Sequence, residues 1–134
     1  MDIEFFQKKD FGSNGEAVIK FTGCGAVIIN ACAMKQLGLS SGKKVCVGYD
    51  KRSCADFVIS MSSEEGWEVR GGNHGEGIFN SVGLVRRVVD DSWGKKSHVP
   101  GENKPRSISF RIARLPVDDG KNKNVYALLR KNKE

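Results

Sequence analysis

The stretch Gly25–Asp50, GAVIINACAMKQLGLSSGKKVCVGYD, decides the fold. Ala26–Ile29 is a short apolar run that suits a strand. Asn30 follows, and asparagine is among the best helix N-caps because its side-chain oxygen accepts orphan backbone N–H groups. From Ala31 to Leu37 the apolar residues Ala33, Met34 and Leu37 share one helical face. Gly38 suits the left-handed residue that ends a helix, with Leu39 placed to pack back onto it. Ser40–Lys43 then turns the chain, and Val45, Val47 and Tyr49 alternate as a strand does. The stretch therefore predicts strand, capped helix, glycine exit and strand.

Working outward, a shorter echo appears at Gly75–Asp90, GEGIFNSVGLVRRVVD. Ile78 and Phe79 form a short apolar run, Asn80 or Ser81 caps a second helix, and Val82, Val85, Val88, Val89 and Trp93 keep helical spacing. Arg86, Arg87 and Asp90 point outward. Before the first motif, Met1–Phe11 reads as an edge strand or packing arm, and Ala17–Phe21 as a strand. Between the motifs, Asp50–Ala55 reads as a polar loop, Phe57, Ile59 and Met61 as a strand, and Trp67–Arg70 as another. After the second helix, residues 94–107 form a mobile loop, Ile108–Leu115 a strand, Asp118–Asn124 a hairpin turn and Val125–Leu129 the last strand. The expected fold is a single β-rich α+β domain, 1–134. It consists of two related β-β-α-β-β halves, about 1–62 and 63–134, forming one pseudo-symmetric barrel or sheet with two short helices.

No apolar run approaches the roughly 20 residues a membrane helix needs. The start, MDIEFFQKKDF, is acidic where a signal peptide is basic, which predicts a cytoplasmic protein. Cys24, Cys32, Cys46 and Cys54 form no CxxC pair and have no nearby histidine. That spacing is not a zinc site, and it predicts reduced, mostly buried thiols.

The Gly25–Asp50 motif resembles the core of AbrB/SpoVT-type swapped-hairpin proteins and the related double-psi, or cradle-loop, barrels. The matching residues are Ile28, Ile29, Asn30, Leu37, Gly38, Leu39, Gly42, Lys43, Val45 and Val47. The second half matches through Ile78, Phe79, Asn80 and the helix behind them, but it lacks the Leu-Gly-Leu exit. The AbrB-type resemblance implies DNA-binding regulators and antitoxins. The double-psi resemblance implies varied roles, enzymes among them. The basic residues expected near the first hairpin are sparse, with Lys20, Lys35, Lys43 and Lys44 the only ones nearby. A Whirly-like single-strand binder, with repeated four-strand-plus-helix units, also fits the strand count over Phe57–Trp93.

Catalytic chemistry is thinly provided. His74 and His98 fall in loops with no nucleophile arrangement beyond His74-Gly75-Glu76, and GGNHGEG lacks the GK[ST] ending of a phosphate loop. Asp90-Asp91 and Asp118-Asp119 lack metal-ligand spacing. These features predict a protein that is not an enzyme, with no catalytic residues, metal or cofactor.

Charge is the stronger signal. Residues 67–134 carry fourteen Lys and Arg against eight Asp and Glu, whereas residues 1–66 are balanced, eight against eight. Such asymmetry favours a polyanionic partner. The expected nucleic-acid-binding residues are Arg86, Arg87, Lys95, Lys96, Lys104, Arg106, Arg111, Arg114, Lys121 and Lys123, with Arg130, Lys131 and Lys133 beyond them. Trp67, Trp93 and Phe110 are candidates both for base stacking and for the core. The sequence thus predicts a transcription-regulator-like homodimer that binds DNA rather than RNA through its basic C-terminal half. The alternative is a protein-interaction or assembly factor, such as a phage or mobile-element accessory protein, whose basic loop meets an acidic protein surface.

Overall fold

Alternation of apolar and polar side chains sets the architecture. In β1 (Val18–Phe21), Ile19 and Phe21 are fully buried while Lys20 is exposed. β2 (Ala26–Ile29) buries Val27 and Ile29, and β8 (Ile108–Ile112) buries Ile108, Phe110 and Ile112. Each strand therefore has one face that must be covered, and closing the sheet on itself covers all of them at once.

The computed structural model describes residues 1–5, 16–50, 53–62, 65–94, 106–117 and 125–130. Besides the strands named, it contains α1 (Ala31–Leu37), β3 (Lys44–Asp50), β4 (Ser53–Ser62), β5 (Trp67–Glu68), β6 (Arg70–Gly71), β7 (Gly77–Asn80), α2 (Val82–Trp93) and β9 (Val125–Arg130). The strand order is β5-β3-β4-β9-β8-β1-β2-β7-β6, and every pairing is antiparallel. Its two ends meet within five residues. Trp67 and Glu68 pair with β3, whereas Arg70 and Gly71 pair with β7. Val69 between them is fully buried and bonds Gly42 and Lys43 through its own carbonyl and amide, both at 2.8 Å. Trp67 stacks on Phe79 across this seam, ring centroids 5.4 Å apart. The result is a β-rich α+β fold with a nearly closed antiparallel β-barrel.

The helices stopper it. β2 and β7 run antiparallel, with Ala26 opposite Asn80 and Ile29 opposite Gly77. Each helix directly follows its strand, so α1 and α2 leave at opposite ends of the barrel. α1 buries Ala33, Met34 and Leu37, and α2 buries Val85, Val88 and Val89. α1 ends at Gly38, whose φ of 68° is the left-handed conformation, and the Gly38 and Leu39 amides donate to the Lys35 and Met34 carbonyls. In the interior, Phe110 meets Phe21 and Phe57 edge-on, with centroids 5.7 and 5.9 Å apart.

Several boundaries and faces differ from the sequence reading. The strand expected to reach Leu115 ends at Ile112: the Ala113 amide makes one further in-register bond to the Ala127 carbonyl, and the chain then bends at Arg114 and Leu115. The expected Asp50–Ala55 loop is shorter, since β3 runs to Asp50 and β4 starts at Ser53 around a register shift at Tyr49/Asp50. Val82 is exposed although it keeps helical spacing, because it opens the helix outside the barrel wall. Cys24 is exposed and Cys32 and Cys46 are half-buried, so these three thiols are less buried than expected, and the Cys54 side chain lies outside the described ones. Ser81 caps α2, accepting from the Leu84 amide at 3.2 Å, and Asn80 stays exposed at the strand end. Met1–Phe5 is neither strand nor packed. Residues 95–105 of the expected loop 94–107 and the whole turn 118–124 lie outside the described residues.

Two glycines give opposite predictions. A Cβ on Gly77 would run into Val69 Cγ1 and lie 2.6 Å from Met34 Sδ, both in the core. Gly77→Ala should destabilise the protein by about 2 kcal/mol, typical of overpacking. Gly83 lies in the first turn of α2, where a Cβ would meet nothing within 4 Å. Gly83→Ala should stabilise by about 0.5–1 kcal/mol, the helix-propensity difference. Thermal melts followed by circular dichroism read both shifts, and a Gly77→Ala protein as stable as wild type would contradict the packing at the seam.

Candidate nucleic-acid interface

The expected basic residues divide between the two ends of the barrel. Arg86 and Arg87 sit on the exposed face of α2. Arg87 Nε lies 2.7 Å from Asp91 Oδ2, one helical turn on, and its guanidinium covers the Tyr49 ring at 5.0 Å. Asp91 first, then Tyr49, hold the Arg87 guanidinium above its ordinary pKa, so it keeps its charge. On α2 itself, Arg86 and Arg87 are balanced by Asp90 and Asp91.

Arg106 and Arg130 join this end from distant stretches. Their guanidinium carbons lie 5.8 and 4.3 Å from the Trp93 ring centroid. Arg130 is opposite Phe110 in the ladder, an inward position, and at the barrel end it donates from Nη1 to the Ser92 carbonyl at 3.0 Å. A cation on a terminal carbonyl complements the helix C-terminus, so Arg130 acts as an anchor for α2. Arg106 is half-buried, and neither its Nε nor Trp93 Nε1 has a hydrogen-bond acceptor among the described residues.

Arg111 and Arg114 lie at the other end. With Glu16, Gln36, Ile112 and Leu129 they line a cleft of about 280 Å³. Arg111 Nε is 3.5 Å from Glu16 Oε1, and Gln36 donates to the Ala113 carbonyl at 2.8 Å. Lys95, Lys96, Lys104, Lys121 and Lys123 lie outside the described residues, as do Lys131 and Lys133. Of the aromatic stacking candidates, Phe110 is 2% exposed and Trp67 is engaged with Phe79, so both belong to the barrel. Trp93 is half-buried at the α2 end.

His74 is exposed, and its amide donates to Glu76 Oε1 at 3.4 Å. Among the described residues, no three His, Cys, Asp or Glu side chains are grouped to hold a metal, and no helix is long and apolar enough to cross a membrane. Two features of the α2 end carried a sequence signal that the charge reading passed over. Arg130 continues the inward alternation of Tyr126 and Leu128, and Tyr49 continues that of Val45 and Val47.

The fold and the site together define a helix-stoppered antiparallel barrel with arginines at both ends. No family model matches the chain, and no curated protein or solved structure does.

Proposed function

We propose that the protein binds nucleic acid, DNA in preference to RNA, through the α2 end of its barrel. The observation that carries this reading is the convergence of Arg86, Arg87 and Arg106 on one helix from stretches about twenty residues apart in the chain. Arg87 lies six residues before Trp93, which is about 9 Å along a helix, so a phosphate backbone crossing α2 can meet all three. Lys95, Lys96 and Lys104 are contributed by the sequence between α2 and Arg106, and they supply the charge excess that the helix lacks. Trp93, against which Arg106 packs, offers a ring edge for a base.

The substitution pair Arg86→Ala/Arg106→Ala should weaken binding of a labelled duplex at least about tenfold in moderate salt, as expected for losing two phosphate contacts. Fluorescence anisotropy reads this. Lys20→Ala/Lys35→Ala, which removes exposed cations of the first half, should change affinity less than about twofold. Loss that follows Lys20 and Lys35 instead would move the interface off α2.

The strand pairings also support the two-halves reading. The β1–β2 pair has a counterpart in β6–β7, and β3–β4 has one in β8–β9. The four remaining junctions all join the halves: β1–β8 corresponds to β3–β5, and β2–β7 and β4–β9 each pair a strand with its own counterpart. We infer a pseudo-twofold relation between them.

A second reading, association with protein, is favoured by the α1 end. There Leu115, Val117 and Leu129 are exposed near Arg111 and Arg114. A homodimer formed through this end leaves α2 free for nucleic acid.

A further inference from the structure

The first five residues alternate strictly: Met1, Ile3 and Phe5 are apolar, Asp2 and Glu4 acidic. All three apolar residues are exposed, Ile3 at 68% and Phe5 at 83%. Among the described residues, no hydrogen bond or ion pair ties Met1–Phe5 to the barrel. Once extended, an arm with this pattern presents one apolar and one acidic face, and among the described residues it has nothing to lie against.

The cleft at the α1 end has the complementary surface. Arg111 and Arg114 provide two cations, of which Arg111 has the loose 3.5 Å pairing with Glu16. Leu129 lines the same cleft and is 44% exposed, and the neighbouring Leu115 is 79% exposed. Arg111 and Leu129 are cross-strand neighbours on one face of the ladder. An arm laid across them would set Ile3 and Phe5 on Leu129 and Leu115, while the long Arg111 and Arg114 side chains reach over its edges to Asp2 and Glu4. Only ten residues separate Phe5 from Glu16 on the cleft wall, yet within the single chain the arm stands clear.

We propose that the occupant is the arm of a second copy: Met1–Phe5 of each chain docks in the Arg111–Arg114 cleft of the other, giving a reciprocal dimer. The proposal rests on the homodimer reading above and names the contact that makes it. Nucleic-acid binding at α2 does not enter it.

Charge reversal tests the exchange directly. One variant carries Asp2→Lys/Glu4→Lys, the other Arg111→Glu/Arg114→Glu, and sedimentation velocity over a concentration series reports association. Wild type should dimerise, and each variant alone should dimerise at least about tenfold more weakly, because arm and cleft then carry like charge. An equimolar mixture should recover the dimer, since each arm meets a cleft of opposite charge on its partner. Ile3→Ser/Phe5→Ser, which touches no core residue, should also dissociate the dimer. A monomeric wild type overturns both the dimer and the arm exchange. A dimer untouched by all three variants overturns the arm exchange alone, and failure of the mixture to recover overturns its intermolecular character.

Discussion

Phe110→Ala should lower stability by about 4 kcal/mol, within the range for burying and then removing an aromatic ring. Phe110 is 2% exposed and sits between Phe21 and Phe57, meeting them edge-on at 85° and 70°. Its loss opens a cavity where three strands face one another, and it removes two aromatic pairs worth about 0.5–1.5 kcal/mol each beyond area burial. For a chain of this length the melting temperature should fall by about 15 °C. Phe110→Leu keeps most of the volume and should cost less than half as much. A Phe110→Ala protein melting within a few degrees of wild type would contradict the aromatic interior.

The second large effect belongs to Asn30. Its Oδ1 accepts from the Ala33 amide at 2.8 Å, capping α1, and from the Val18 amide at 3.1 Å. Its Nδ2 donates to the Glu16 carbonyl at 2.9 Å. One side chain thus caps the helix and fixes the chain entering β1. Asn30→Ala removes the cap, worth about 1 kcal/mol, and leaves two further backbone groups unsatisfied at about 1 kcal/mol each. The expected loss is about 3 kcal/mol in urea unfolding. Asn30→Asp keeps the acceptor and loses only the donor to Glu16, so it should fall between. Ser81→Ala at α2 removes a single 3.2 Å cap bond and should cost about 1 kcal/mol. Equal losses for Asn30→Ala and Ser81→Ala would show that Asn30 does no more than cap.

These particulars show what the sequence could convey. Asn30, Leu37 and Gly38 announce α1 and its ends because capping is local chemistry, and the alternation of Ile19/Phe21 or Ile108/Phe110/Ile112 announces a strand face. Nothing local says that Val69 must serve two strands at once, since that depends on where β3 and β7 finish. Nor does alternation state where a strand stops: β8 ends at Ile112, and after one more bond from Ala113 the chain bends away at Arg114 and Leu115. The candidate interface was legible as charge and illegible as geometry. Arg111 and Arg114 are close in sequence to Arg106, yet β8 carries them to the opposite end of the barrel. Arg130 reads as one more basic residue of a tail, and only its partner across the ladder, Phe110, shows that it turns inward under Trp93.

The proposed interface gathers its phosphate contacts at α2. The most direct test is the affinity for a labelled DNA duplex measured by anisotropy across a salt series, for wild type and for Arg86→Ala/Arg87→Ala. Wild type should show log K falling with log salt at a slope of about −2.7 to −3.6, matching three to four phosphates at about 0.9 each. The double variant should lose about two units of that slope along with affinity. An unchanged slope, or no binding by wild type at low salt, would contradict the assignment of α2 as a nucleic-acid interface.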